Sequence, residues 1–174
     1  IPTHFEKRLN DREQLIKKCQ IIPIEFVVRN IVAGSIAKKL GLKEGAKLNK
    51  PLLEYYYKED SLDDPMISRD HVEIFGWANR SELKRIDAMS LKINSLLSDL
   101  FKKKNIILVD FKIEFGRLAS NPKKIVLADE ISPDSCRLWD IKSKKKLDKD
   151  VFRRNLGSLM GAYEEVASRL GIVH

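Results

Sequence analysis

Apolar residues between Ser81 and Lys103 recur at intervals of three and four positions, the spacing that places side chains on one face of an α-helix. The pattern predicts a long amphipathic helix over residues 82–103 whose leucine and methionine stripe lies in the core. A similar pattern predicts a second helix over residues 158–170, whose apolar face suits either the core or an interface between subunits. The apolar positions are Leu83, Ile86, Met89, Ile93, Leu96, Leu97, Leu100 and Phe101 in the first helix, and Leu159, Tyr163, Val166, Ala167 and Leu170 in the second.

Two segments nearer the start of the chain have the composition of strands. Residues 19–32 are rich in β-branched side chains and should be extended, with Pro23 limiting where a neighbouring strand can pair. Residues 51–58 contain three successive tyrosines and predict another strand, and the acidic residues that follow predict a turn. Between the two strands, a short helix should end at Gly41.

The segment at residues 109–115 alternates between apolar and charged residues with a strict period of two, which predicts a β-strand. All three charged residues therefore share one face. Taken alone, this pattern favours an exposed antiparallel strand whose charges compensate one another. The apolar positions are Val109, Phe111, Ile113 and Phe115, and the charged positions are Asp110, Lys112 and Glu114.

A strand predicted over residues 125–132 follows a turn at residues 121–124 and adds Asp129 and Glu130. A hairpin would bring these acids towards Glu114 or Lys112, although the pattern leaves the register open. Carboxylates that converge from two strands form an oxygen-ligand site, which Mg²⁺ uses while keeping waters and phosphate oxygens as its other ligands.

A candidate phosphate site lies at the turn after the strand over residues 19–32. Arg29 supplies a guanidinium near the end of the strand, while N–H groups at the helix start and the Ser35 hydroxyl complement a dianion. The alternative is that Ser35 only caps the helix. Arg137 lies near Trp139 in a third polar segment, a pairing equally consistent with simple packing.

Composition limits the classes of protein that need to be considered. The chain has 174 residues, 43% of them hydrophobic, which excludes a disordered polymer and a miniprotein. No repeat or long linker divides it, so we expect a single α+β domain over residues 1–174, with a mainly antiparallel sheet packed with the long helix and the C-terminal helices. No apolar run approaches the roughly 18 to 20 residues of a spanning helix, and residues 1–12 are too charged for a signal peptide. We therefore expect a soluble, cytoplasmic protein with no membrane partner.

The cysteines, the histidines and the net charge further limit the kinds of site and ligand that the chain can have. Scattered cysteines and histidines argue against a disulfide framework and a zinc site, so any metal should sit on carboxylates. The net charge of +8 suits nucleic acid, a phosphorylated small molecule or a merely lysine-rich surface. Only 7% of residues are aromatic, which disfavours a nucleic-acid surface that depends on stacking. The cysteines and histidines are Cys19, Cys136, His4, His71 and His174.

Long segments of the chain resemble the signature sequences of one enzyme family. Residues 21–35 (IIPIEFVVRNIVAGS) and 108–116 (LVDFKIEFG) resemble the two signature segments of the SAICAR synthetases, the phosphoribosylaminoimidazole-succinocarboxamide synthases. Residues 127–140 (LADEISPDSCRLWD) resemble a third characteristic stretch, and residues 147–171 are similar to the C-terminal helices of the family. The resemblance implies the larger lobe of a fold similar to the ATP-grasp and kinase-like arrangement.

The resemblance implies an ATP-dependent carbon–nitrogen ligase of de novo purine biosynthesis. Such enzymes condense the carboxylate of carboxyaminoimidazole ribonucleotide (CAIR) with the amino group of L-aspartate, giving SAICAR, ADP and phosphate. In the family's proposed mechanism, ATP converts the carboxylate to an acyl phosphate, which aspartate attacks. Stabilising such a transfer is mainly positioning and neutralisation of negative charge, which suits the charged residues found above.

The resemblance also implies individual residue roles. The 5′-phosphate of CAIR would be bound by Arg29, Ser35 and Arg137, with Arg153 as a further candidate. Lys112 and Asp110 would lie near the imidazole and its carboxylate as catalytic residues, and Mg²⁺ would bind Glu114 and Asp129. ATP would be contacted by the backbone around Ile21 and by Lys58.

One departure from the family pattern concerns ATP. The family normally carries, ahead of the segment matched by Ile1, a lobe whose glycine-containing loop and lysine cover the ATP phosphates, and this chain contains no such motif. The first residue is also not Met. We therefore expect the chain to be part of a longer enzyme and to be inactive alone, since half a phosphate clamp should position ATP badly.

Other functions remain open from the residues alone. They are a basic RNA-binding module, a structural interaction domain that has kept the fold, and a kinase-like enzyme acting on another phosphorylated carboxylate. An RNA binder should lose affinity steeply with salt and show no preference for Mg-ATP or CAIR. The resemblance favours the small-molecule substrates CAIR and L-aspartate as partners, rather than nucleic acid, and allows a homodimer or larger homo-oligomer.

Overall fold

The structure is a computed structural model that describes residues 1–172. None of the helices in this part of the chain is long and apolar enough to cross a membrane. Its strands are β1 (Phe5–Arg8), β2 (Gln14–Ile16), β3 (Cys19–Ile21), β4 (Ile24–Ile31), β5 (Lys47–Tyr57), β6 (Met66–Ile67), β7 (Ile106–Leu118), β8 (Asn121–Ala128) and β9 (Cys136–Asp140). Its α-helices are α1 (Ser35–Leu40), α2 (Arg69–Ile74), α3 (Arg80–Lys102), α4 (Asp150–Arg153) and α5 (Leu159–Leu170).

Strand β7 organises the main sheet. The strand order is β3-β7-β4-β5-β6, and β8 and β9 also pair with β7. Strands β3, β8 and β9 all run antiparallel to β7. In these ladders Asp110 lies opposite Arg137 on β9, and Glu114 lies opposite Ala128 on β8. Strands β1 and β2 form a separate antiparallel hairpin.

The chain divides into two compact units, each with its own buried residues. In unit 1, the rings of Phe26 and Phe115 are fully buried and meet edge to face, with centroids 5.4 Å apart. Such a pair adds about 0.5–1.5 kcal/mol beyond the burial of its surface. The expectation of a single domain stays a prediction. Unit 1 consists of residues 1–27, 53–91 and 113–130, and unit 2 of residues 28–52, 92–112 and 131 onward.

The core of unit 2 joins β7, β9 and the loop that follows β4. Ala33, Val109 and Trp139 form one buried cluster. Nearby, the amides of Asn30 and Asn94 bond to each other in both directions, at 2.8 and 3.0 Å. This reciprocal pair satisfies the buried amide of α3 and fixes the end of β4.

The three predicted helices agree with observed helices to within two residues, but the predicted strands differ more. Residues 19–32 form two strands, β3 and β4, and the strand predicted over residues 51–58 begins four residues earlier, at Lys47. Strand β8 begins at Asn121 and ends at Ala128, so the predicted strand over residues 125–132 is wrong at both ends. A register shift beside Leu118 allows Pro122 to lie within the strand, since proline is tolerated at such irregularities. Asp129 and Glu130 therefore follow the strand, and Asp129 has a positive φ of 64°.

Candidate active site

Asp110 lies at the centre of a buried charge cluster in unit 2. Arg29, on β4, donates from Nη1 to Asp110 Oδ2 at 2.7 Å. Arg137, on β9, donates from Nη1 to Asp110 Oδ1 at 3.1 Å and to Oδ2 at 3.0 Å. Asp110 and Arg29 are each only 3% exposed. The expectation of an exposed strand with compensating charges is therefore wrong, because arginines on neighbouring strands supply the compensation.

The loop at residues 33–35 lies against these arginines. Ser35 Oγ accepts a hydrogen bond from Arg29 Nη2 at 3.0 Å. Gly34 has a φ of 61°, and an added Cβ would lie 2.4 Å from Arg137 Nη2, so the close approach requires glycine. Gly34 is the N-cap of α1, and no side chain caps that helix. The alternative in which Ser35 serves only as a cap is therefore wrong.

A second carboxylate, Asp150, binds the opposite side of Arg137. Its Oδ2 accepts from Arg137 Nε at 3.0 Å, and its Oδ1 accepts from Arg153 Nη1 at 3.1 Å. Arg153 thus joins the cluster through Asp150. Within the described residues, none accepts a hydrogen bond from Arg137 Nη2, the atom beside Gly34.

Burial and neighbouring charges set the ionisation of the cluster. Burial raises the pKa of Asp110, and Arg137 and Arg29 act against that shift. Burial opposes the charged form of Arg137, yet Asp110 and Asp150 outweigh it and raise its pKa. Burial also opposes the charged form of Asp150, but Arg137 and Arg153 outweigh it and lower its pKa. Arg137 is therefore held charged, as the binding of an anion requires.

Lys112 and Trp139 lie on the strands that carry this cluster. Lys112 is half-buried on β7, and its N–H donates to the carbonyl of Ser135 at 2.8 Å. The cation over the Trp139 ring is Lys146, whose Nζ lies 3.5 Å from the ring centroid. Packing against Trp139 is therefore not what positions Arg137, which two carboxylates bind instead.

Unit 1 holds the remaining predicted carboxylates. Glu114 is 3% exposed, and the Lys58 ammonium lies 2.6 Å from its Oε1 and 2.7 Å from its Oε2. Glu114 and Asp129 both line a cavity of about 530 Å³, together with Ile21. The full lining is His4, Gln14, Ile16, Lys17, Lys18, Cys19, Ile21, Glu114, Ala128, Asp129 and Glu130.

These carboxylates fit a cation that brings most of its own ligands. Among residues 1–172, no group of three or more histidine, cysteine, aspartate or glutamate side chains could hold a metal by itself. Mg²⁺ needs only one or two carboxylates when waters and phosphate oxygens complete its shell. The ammonium of Lys58 beside Glu114 shows that this buried carboxylate takes a cationic partner.

The structure brings most of the predicted site residues together in two groups. Within unit 2, Arg29, Ser35, Asp110, Arg137 and Arg153 form one hydrogen-bonded network. Within unit 1, Ile21, Glu114 and Asp129 line one cavity, and Lys58 contacts Glu114. His174 lies outside the described residues, and Cys19 and Cys136 are both free.

Two carboxylates of unit 2 and several residues that line the cavity of unit 1, His4 among them, were not predicted from the sequence. Asp148 and Asp150 lie in the lysine-rich run at residues 142–150. Their only signal in the sequence was a pair of acidic residues separated by one position. The cavity contact of His4, whose Nδ1 lies 3.1 Å from the carbonyl of Leu127, had no signal in the pattern.

Known proteins resemble this chain in sequence over nearly its whole length. A sequence model of the family described as SAICAR synthetase matches residues 1–170. The phosphoribosylaminoimidazole-succinocarboxamide synthase of Bartonella quintana (strain Toulouse) is 58% identical over 175 residues, which cover 100% of this chain and 69% of that protein. The corresponding synthase of Rhizobium meliloti (strain 1021) is 59% identical with the same coverage.

Solved structures show the same fold. The crystal structure of phosphoribosylaminoimidazole-succinocarboxamide synthase from Ehrlichia chaffeensis has a TM-score of 0.97 and 50% identity, and the match covers 100% of this chain and 74% of that one. A SAICAR synthetase solved in complex with ADP has a TM-score of 0.93 and 49% identity, covering 98% of this chain and 72% of that one. The predicted α+β fold class is thereby confirmed. With the family match over residues 1–170, these similarities show that the chain belongs to the SAICAR synthetase family.

Proposed function

We propose that this chain binds CAIR and the phosphates of a nucleotide, as part of an ATP-dependent ligase that joins CAIR to L-aspartate in purine biosynthesis. The family assignment supports ATP-dependent ligation, and one relative was solved with ADP. It favours ligation over the nucleic-acid-binding and structural alternatives that composition alone left open. A cytoplasmic location, homo-oligomerisation and the inactivity of this chain alone stay predictions.

The observation that carries the proposal is the Nη2 group of Arg137. It lies beside Gly34, bonds to no acceptor within the described residues, and belongs to a side chain that is one-fifth exposed. Arg29 and Ser35 extend the same polar surface. The guanidinium groups of Arg29, Arg137 and Arg153 outnumber the carboxylates of Asp110 and Asp150 that they bind, and the positive charge that remains complements the 5′-phosphate of CAIR.

The chemistry at the substrate carboxylate depends on neutralising charge. Lys112 is the proposed residue that offsets the negative charge of the carboxylate while it becomes an acyl phosphate and then an amide. The contacts of Asp110 support a role in holding Arg29 and Arg137, because both of its oxygens are bonded to arginine. We therefore propose that Asp110 acts through these arginines rather than as an acid or base.

The nucleotide is proposed to bind in the cavity of unit 1. Strand β3 begins the strand order of the main sheet, so one edge of the backbone around Ile21 is available to read a base. Glu114 and Asp129 would hold Mg²⁺, which neutralises the charge of the nucleotide phosphates when bound. Lys58 supplies a further positive charge at Glu114.

Calorimetric titration tests the phosphate site. SAICAR and its 5′-dephosphorylated nucleoside are titrated separately into the wild-type chain and into the Arg137→Ala variant. We expect the wild-type chain to prefer the phosphorylated ligand, and the variant to lose roughly 10- to 150-fold in affinity for that ligand only, since a charged hydrogen bond contributes about 1.5–3 kcal/mol.

A matched control removes an arginine whose ion pair is exposed. Arg8→Ala breaks the pair with Asp11 on the β1–β2 hairpin and should leave both affinities unchanged. Equal binding of the two ligands by the wild-type chain would refute the proposed phosphate site, as would an unchanged preference in Arg137→Ala.

A further inference from the structure

The orientation of the Arg137 guanidinium depends on two carboxylates that bind different nitrogens. Asp110 accepts from Nη1, at 3.0 and 3.1 Å, whereas Asp150 accepts from Nε at 3.0 Å. A guanidinium is planar, so fixing two of its nitrogens also fixes the direction of the third. The third nitrogen, Nη2, is the one beside Gly34. Without Asp150, the group could turn about its contact with Asp110.

Asp150 is itself fixed by a neighbouring buried carboxylate. Asp148 is 1% exposed, and its Oδ1 accepts from the backbone N–H of Asp150 at 2.8 Å. Its Oδ2 accepts from the N–H of Leu138 at 2.7 Å, and the N–H of Leu147 donates to the carbonyl of Leu138 at 2.8 Å. The segment at residues 147–150 is thus bonded to β9 at the residue that follows Arg137.

The carboxylate of Asp150 does not cancel the positive charge of the site. Its other oxygen accepts from Arg153 at 3.1 Å, and Arg154 Nε lies 3.8 Å from the oxygen that binds Arg137. Asp110 and Asp150 each accept hydrogen bonds from two guanidinium groups. The arrangement fixes Arg137 while preserving its attraction for an anion.

We propose that Asp150, held in place by Asp148, is a positioning residue that aims Arg137 Nη2 at the phosphate monoester of the substrate. The inference rests on the proposed function and deepens it, because it explains how that site is preorganised. Asp150 itself does not contact the ligand. Its loss should therefore affect recognition of the phosphate group alone, through Arg137.

Calorimetry measures the affinities of SAICAR and its dephosphorylated nucleoside for four forms of the protein. The four forms are the wild type, Asp150→Asn, Arg137→Ala and the double variant. We expect Asp150→Asn to weaken SAICAR binding by about tenfold without changing nucleoside binding. In the Arg137→Ala background the same substitution should have no further effect, since the two residues act on one contact.

A control separates positioning from a general loss of acidic charge. Asp134→Asn removes an exposed carboxylate of unit 2 that pairs with Lys149 at 3.3 Å, and it should leave the phosphate preference unchanged. A melting temperature for every variant shows whether it is folded. If Asp150→Asn does not fold, Asp150→Glu retains the charge but shifts it by one methylene, and it should still reduce the phosphate preference.

The outcomes distinguish this inference from the proposed function. A wild-type chain with equal affinity for the two ligands refutes the phosphate site and the inference with it. A wild-type chain that prefers SAICAR, together with folded Asp150 variants that keep the full preference, overturns only the positioning role. A lower melting temperature with an unchanged preference would assign Asp150 a purely structural role and would overturn the inference too.

Discussion

Replacing Asp110 by asparagine should destabilise the protein by about 3–5 kcal/mol, because it leaves arginines buried without their shared carboxylate. Arg29 is the more costly of the two, since its side chain is 3% exposed and water cannot replace the lost partner. Arg137 is 20% exposed and keeps Asp150, so its share of the loss is smaller. With typical unfolding free energies of about 5–15 kcal/mol, the change removes a large fraction of the total.

Urea unfolding followed by tryptophan fluorescence measures this loss. Trp139 lies in the core of unit 2 and Trp77 in unit 1, so a Trp77→Phe background makes the signal report on the unit that contains Asp110. The matched control is Asp11→Asn, which breaks an ion pair whose side chains are 62% and 83% exposed. Exposed ion pairs contribute about 0–1 kcal/mol to stability, and the loss of unfolding free energy in the control should fall within that range.

The effects of substituting Arg29 and Asp110 should be coupled. Replacing Arg29 by glutamine together with Asp110→Asn should destabilise less than the sum of the two single changes, since the double variant leaves no buried charge of this pair uncompensated. A loss no larger than that of the Asp11→Asn control, or strictly additive losses, would show that the cluster is not the buried, charged network described above.

Three further predictions follow from the same contacts. Gly34→Ala should weaken SAICAR binding in calorimetry and leave nucleoside binding unchanged. The reason is that an added Cβ would lie 2.4 Å from Arg137 Nη2, in a backbone with a φ of 61°. An unchanged affinity for SAICAR would contradict this close approach. Burial raises the pKa of Asp148 to about 6, so its contribution to stability is present below about pH 4 and is lost as the pH rises to about 6. The stability of the wild type relative to Asp148→Asn should then fall by about 2–3 kcal/mol across that window in urea unfolding, and a flat difference would argue against this titration. Lys58→Met removes the cation beside Glu114, so it should lower the melting temperature measured without metal and enlarge the rise in melting temperature caused by added Mg²⁺. An equal rise in the wild type and the variant would oppose a metal role for Glu114.

Local patterns predicted the elements of the fold better than their ends. Helix α3 follows directly from its apolar spacing, and the alternation at residues 109–115 correctly indicated β7. The prediction that the whole apolar stripe of α3 lies in the core was wrong at Leu96 and Leu100, which are 51% and 45% exposed. The ends of β8 were missed because they depend on a register shift opposite β7, which is a property of pairing rather than of the segment itself.

The residues of the site could be named from the sequence, but their contacts could not. Alternation placed Asp110 and Lys112 on one face of a strand, yet it could not show that Asp110 is buried between arginines from two other strands. Asp150 lies 13 positions from Arg137 and binds it only because residues 147–150 bond to β9. Such tertiary contacts leave no periodic signal in the chain.

The contact between Gly34 and Arg137 constrains how this protein can vary over evolution or in the laboratory. A side chain at position 34 and a full-length arginine at position 137 compete for the same space, although 103 positions separate them along the chain. Homologous sequences should therefore carry a side chain at position 34 only where position 137 has a residue shorter than arginine. An engineer who wishes to place a side chain at position 34 must likewise shorten residue 137, whereas shortening residue 137 alone leaves a void beside Gly34.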